Sequence, residues 1–169
     1  LSIAQEADVQ LRSHAKTHKI PAIAHYQHER SNGGGIVCQK LSEAEVMAAS
    51  GIDDIYLSYQ IIGDSKLQRL VHLSETVSEF STTVDGPGNI EPLATVAKQQ
   101  DAVVRVILEV DVGMGRTGVA PGEPAVELAK QISAHPNLSF DGIMAYEAHV
   151  KSRAETEDDY EQLCYEAME

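Results

Sequence analysis

Val106–Val112, VILEVDV, decides between two architectures. Read with a period of two, Val106, Leu108, Val110 and Val112 share one face, and Ile107, Glu109 and Asp111 share the other. A central strand of a doubly wound sheet is covered by helices on both faces and tends to be apolar throughout. Acids at alternate positions instead predict one face against helices and one against a polar, functional lumen.

Outward from that strand, the hydrophobic period switches repeatedly between strand-like and helix-like. Strands are predicted at Val9–His14, Gly35–Gln39, Ile55–Tyr59, Phe80–Val84, Val103–Val112 and Phe140–Tyr146. Helices are predicted at Pro21–Glu29, after Ser42, and at Ser65–Leu73, Asn89–Gln99 and Glu123–Ala134, with a charged one from about Ala154. Ser42 and Glu45 form an S-x-x-E pattern, a candidate capping box. Six β-α units at a spacing of roughly 25–30 residues imply a parallel sheet with right-handed crossovers. The expected fold is therefore α/β, a (β/α)8 TIM barrel of which six units of eight are in hand. Such a barrel takes about 250 residues. Leu1 is not a start methionine, and the pattern still reads as helix at Glu169, so a piece of a longer polypeptide is expected.

Composition narrows the function classes. The 169 residues are 43% hydrophobic, enough for one core, and no apolar run approaches the roughly 20 residues of a membrane span. A formal charge of −13 argues against nucleic acid and anionic membranes as partners, and fits a solvated acidic surface of the salt-adapted kind. Seven of the 26 acids lie in residues 155–169, which hold no Lys or Arg. Two cysteines, Cys38 and Cys164, make no disulfide framework, and no signal peptide is visible. A reducing, cytoplasmic location is expected.

Directly after the deciding strand comes GMGRTG (Gly113–Gly118), a literal G-x-G-x-x-G match. A dinucleotide loop needs its third glycine to open a helix, whose N-terminus holds the pyrophosphate. Here VAPGEP (Val119–Pro124) intervenes, although Asp141 stands where a ribose ligand could. The alternative is a glycine-rich turn at the C-terminal end of a barrel strand, the active-site face. That turn would aim Arg116 inward.

A second informative stretch is HAKTHK (His14–Lys19), at the end of the first strand. Burial at a barrel rim can turn such a lysine into a Schiff-base nucleophile, whereas a solvent-facing basic turn is the plainer alternative. Metal capture by His14 and His18 is a third, but their spacing suits a helix and this segment reads as strand and turn.

Four blocks together carry a resemblance: His14–Lys19, Gly35–Leu57 (GIVCQKLSEAEVMAASGIDDIYL), Asp111–Gly118 and Gly142–His149 (GIMAYEAH). In this order they resemble the fold-type III pyridoxal-phosphate enzymes of the D-threonine aldolase and D-serine dehydratase group, relatives of alanine racemase. The resemblance implies that the chain is a partial pyridoxal-phosphate-binding barrel over residues 1–169, without the last two strands and the C-terminal β-domain. It implies that Lys16 holds pyridoxal phosphate covalently and shuttles protons at the substrate α-carbon. Arg116 would bond the cofactor's ring oxygen, Tyr146 would lie against its ring, His14 would shape the Lys16 pocket, and His149 would serve the substrate or a proton. Glu109 stands where alanine racemases typically have a lysine, often carbamylated. With Asp111, it could steady Arg116 unmodified. Tyr146 stands where racemases have a histidine. Both features point to the lyase branch.

Two departures are visible: Ser13 replaces the family's usual proline, and residues 25–35 are unusually polar and glycine-rich. The implied reaction is retro-aldol cleavage of a D-β-hydroxy amino acid, D-threonine giving glycine and acetaldehyde. A divalent metal would be held by the C-terminal domain, so no metal ligand is assigned here. A homodimer is implied for the complete protein. Rival readings are a D-serine dehydratase, an alanine racemase-like isomerase and a non-catalytic pyridoxal-phosphate carrier. The 169-residue chain alone is expected to be an inactive scaffold.

Overall fold

The structure is a computed structural model and describes residues 2–31 and 33–168. A short α1 (Ser2–Glu6) precedes β1 (Ser13–His14), α2 (Pro21–His28), β2 (Ile36–Cys38), α3 (Leu41–Ala49) and β3 (Asp54–Leu57). There follow α4 (Asp64–Thr76), β4 (Glu79–Val84), α5 (Pro87–Gln99), β5 (Val104–Val110), α6 (Glu123–Ala134) and β6 (Leu138–Ala145). A 3-10 turn at Val150–Ser152 leads into α7 (Glu157–Met168).

The six strands form one sheet in the order β1-β2-β3-β4-β5-β6, every neighbouring pair parallel. Sequential order with a helix at each crossover is barrel topology, and the sheet is open. On the deciding strand, Val104, Val106 and Leu108 have no exposed surface and pack with helix residues such as Leu93, Ala97, Leu128 and Ile132. Burying each such side chain contributes about 1.5–3 kcal/mol. Ile107 and Glu109 alternate onto the lumen face, as the sequence predicts, and Arg105 joins them. The strand ends at Val110, however, so Asp111 belongs to the loop that follows. Lumen charges pair across strands: Arg105 binds Glu79 and, through a two-pronged contact, Asp141, while Arg12 reaches Asp54 at 2.5 Å.

Two expectations are corrected. The first strand is two residues long, not six, because its parallel partner opens only at Ile36, opposite Ser13. Residues 9–12 thus have no strand to pair with. The third helix begins at Leu41, and Glu43 rather than Glu45 reaches back to accept from the backbone N–H groups of Gln39 (3.0 Å) and Lys40 (3.3 Å). Ser42 is exposed and caps nothing. In the polar stretch 25–35, α2 runs to His28, Gly34 and Gly35 are buried, and Asn32 lies outside the described residues. Glu169 also lies outside them.

Candidate active site

The C-terminal ends of the strands share one rim, and the singled-out residues lie on it. Lys16 stands two positions after β1, and Tyr146 and His149 follow β6. The loop Asp111–Gly118 follows β5 and turns back, its Val119 bridging to Val110. No helix starts at the third glycine, since α6 begins at Glu123. Asp141, the would-be ribose ligand, is the extra residue of a bulge opposite Val106–Ile107 and pairs with Arg105. The dinucleotide reading therefore fails.

The loop is held at both ends. At its start the Asp111 carboxylate accepts from the backbone N–H of Gly113 (3.0 Å) and of Gly115 (3.0 Å). The Gly115 N–H above all holds this carboxyl below the usual range; burial opposes it, while Gly113, Met114 and the nearby His149 add to it. At its end Thr117 donates to Glu109 Oε1 (2.8 Å) and the Gly118 N–H donates to Asp85 Oδ2 (3.2 Å). Gly118 has φ of +105°, and a Cβ there would sit 2.7 Å from the Asp111 nitrogen. Only glycine fits this close return of the loop onto its own strand.

Between these anchors the loop projects Arg116. Its guanidinium lies 3.7 Å from Glu109 Oε1 and 5.0 Å from the centroid of the Tyr146 ring. Glu109 is 3% exposed and so presents a buried carboxylate to an arginine that keeps one side to solvent. Glu109 thus does contact Arg116, whereas the Asp111 carboxylate is taken up by backbone N–H groups. Beside the loop, His149 packs so near Gly113 that a Cβ at that glycine would meet Nε2 at 2.9 Å. Its other nitrogen, Nδ1, is buried without a hydrogen-bond partner. That orphaned atom is the kind of group a bound ligand satisfies.

The opposite end of the sheet is less enclosed. His14 Nδ1 accepts from the Lys16 backbone N–H at 3.3 Å, and His14 is held below the ordinary histidine range by burial first and the Lys16 charge second. The Lys16 side chain is exposed. The burial that the sequence reading invoked is not supplied by these six strands, because β1 is an edge strand with β2 as its neighbour. Among the described residues no hydrogen bond or ion pair links Lys16 to Arg116 or Tyr146. His18 is used elsewhere, its Nε2 with Gln27 (3.0 Å) and its Nδ1 accepting from Ile20 N–H (3.0 Å), so it does not join His14 in a metal pair. Among the described residues no three His, Cys, Asp or Glu side chains are grouped to hold a metal ion.

Sequence reasoning passed over Gln60 and Asp85, although both stand just past strand ends, where a barrel keeps its functional residues. Gln60 Nε2 donates to Asp85 Oδ2 (2.9 Å) and to Glu109 Oε2 (2.7 Å). The rim-position rule, applied to β3 and β4 as it was to β1 and β5, would have found them.

The match that decides the family covers residues 2–168: the alanine racemase, N-terminal domain. The chain belongs to that family. Among its relatives, the D-threonine aldolase of Arthrobacter sp is 38% identical over 164 residues, covering 97% of this chain and 42% of that protein. The 3-hydroxy-D-aspartate aldolase of Paracoccus denitrificans (strain Pd 1222) is 36% identical over 147 residues, covering 87% and 38%. The crystal structure of D-threonine aldolase from Filomicrobium marinum superposes with a TM-score of 0.91 at 34% identity, covering 98% of this chain and 44% of that one. The chain therefore spans well under half the length of these relatives. The open six-stranded sheet is the corresponding part of a barrel.

Proposed function

We propose that this chain forms the cofactor-binding half of a pyridoxal-phosphate-dependent lyase that cleaves D-β-hydroxy amino acids by retro-aldol chemistry, D-threonine giving glycine and acetaldehyde. The observation that carries the reading is the Arg116 guanidinium set between the Tyr146 ring at 5.0 Å and the buried Glu109 carboxylate at 3.7 Å, on the rim that also holds Lys16. The aldolase relatives support the choice of reaction and of D-β-hydroxy substrate.

The residues present fit such a cofactor: a flat aromatic face, a cation with free donor capacity, a primary amine and an orphaned buried imidazole nitrogen. When bound, pyridoxal phosphate supplies a ring that accepts the electrons of the breaking Cα–Cβ bond. In this reading Lys16 binds the cofactor through Nζ and carries a proton to or from the substrate Cα. Arg116 donates to the ring oxygen, and Glu109 fixes the direction of that donor. Tyr146 offers its face to the ring. His149 would serve the substrate or a proton transfer, and His14 would brace the turn that carries Lys16. A carboxylate at Glu109 and a tyrosine at Tyr146 favour the lyase over the racemase branch. The divalent metal implied by the resemblance has no donor set among the described residues, and no step is derived through it. A homodimeric assembly and a cytoplasmic location belong to the same reading. For the 169-residue chain alone, exposure of Lys16, Arg116 and Tyr146 supports a scaffold that holds a ligand loosely.

The test is product analysis of the complete protein with D-threonine, pyridoxal phosphate and a divalent metal. Glycine is expected, together with loss of the visible cofactor band in Lys16→Ala. Conversion of L-alanine to D-alanine instead, or an unchanged band in Lys16→Ala, would overturn the reading.

A further inference from the structure

We infer that Gln60 and Asp85 are positioning residues that set the Arg116 loop by bridging three strand ends. This rests on the cofactor reading above and assigns to that site two side chains outside it. Gln60 follows β3, Asp85 follows β4 and Glu109 lies on β5. One amide nitrogen, Gln60 Nε2, donates to Asp85 Oδ2 at 2.9 Å and to Glu109 Oε2 at 2.7 Å. An amide turned the other way would set its oxygen against two carboxylates, so the two acids fix its orientation.

Each acid then passes the constraint to the loop. Glu109 uses its other oxygen on Thr117 (2.8 Å) and Arg116 (3.7 Å). Asp85 receives the Gly118 N–H at 3.2 Å. Asp85 is itself locked at the start of α5: Asn89 Nδ2 donates to its carboxylate, and Asn89 Oδ1 accepts from the Asp85 backbone N–H at 3.1 Å. The two residues that follow Arg116 on the loop's closing arm are therefore held by a rigid helix start through two carboxylates and one amide. Without Gln60 the two carboxylates would face each other with no donor between them, and repulsion would separate them. Gln60 Oε1 is buried without a hydrogen-bond partner, so the amide is held through its nitrogen. The bridge therefore sets where the Arg116 guanidinium points, and Gln60 and Asp85 act through that arginine.

The test uses the complete protein with Gln60→Leu and with Asp85→Asn, the second nearly isosteric and available should the first not fold. Amide hydrogen exchange without cofactor reads the loop. Titration with pyridoxal phosphate reads affinity and the pH at which the visible band changes. Faster exchange at Gly118 and Val119 is expected in both variants, with binding weakened roughly tenfold, the scale of one lost hydrogen bond to a buried carboxylate, and a displaced pH transition. A loss of stability alone would move neither the pH transition nor exchange confined to this loop. Unchanged exchange and an unchanged transition, in variants of a protein that does bind the cofactor, would overturn the inference and spare the cofactor reading. If the unaltered protein forms no band at all, both fall.

Discussion

Asp111 shows how one side chain is recruited away from the work its neighbours suggest. Two residues from Glu109 on the same face, it is a natural second partner for Arg116, but short backbone donors reach it first. Gly113 and Gly115 point their N–H groups at its oxygens, and a carboxylate with several such donors is stabilised in its charged form. The folded carboxyl titrates below the ordinary aspartate value of about 3.9. The sign follows from linkage: stabilisation of the loop is complete above the unfolded value and is lost as pH falls through the lower, folded one. Acid titration followed by NMR should therefore show the Gly113 and Gly115 amides shifting together, with a midpoint below that of a free aspartate. Asp111→Asn should remove the transition. A midpoint at the ordinary value would mean that the loop does not depend on this contact.

At the scale of elements, the glycines of the β5–α6 loop carry the same lesson. The G-x-G-x-x-G spacing suggests a phosphate cradle, yet Gly118 is needed because the loop folds back onto its own strand, with Val119 N–H donating to Glu109 O at 2.9 Å. Gly118→Ala meets backbone atoms at 2.7 Å and 2.9 Å in a left-handed conformation, and nothing flexible can yield. The variant should lose on the order of 2–4 kcal/mol in denaturant unfolding, while Gly115→Ala, with open space around its Cβ, should lose only about 1 kcal/mol for its positive φ. Equal losses at the two sites would contradict this account of the loop. The elements themselves were legible because each strand's period of two and each helix's apolar face are local properties. The β5–β6 bulge at Asp141, the shortness of β1 and the Gln60 bridge were not, since each depends on what stands opposite in the neighbouring strand. Lys16 and Arg116 were singled out as strand-end residues and Tyr146 through the resemblance, and the structure brings Arg116 and Tyr146 together. The exposure of Lys16 was hidden because it reflects which strands flank β1 rather than anything in HAKTHK.

For the whole molecule, the open sheet sets two unlike edges against a strongly negative surface. The β1 edge is two residues long and sits beside Arg12, features that discourage strand addition. The β6 edge is eight residues long, and its helix-facing side carries Phe140 and Ile143, 38% and 69% exposed, beside Val126 of α6 at 46%. This apolar groove, lined also by Ala125 and Ala129, is the kind of surface that drives association. Against it stands a net charge of −13, whose repulsion reaches about 30 Å at 0.01 M salt and only about 3 Å at 1 M. The 169-residue polypeptide should therefore stay dispersed at low salt and associate as salt rises, read by light scattering across that range. Ile143→Glu should suppress the salt-driven growth with little change in melting temperature, because the native side chain is mostly in water. Association that is indifferent both to salt and to Ile143 would place the sticky surface elsewhere and leave the β6 edge as an ordinary solvated strand.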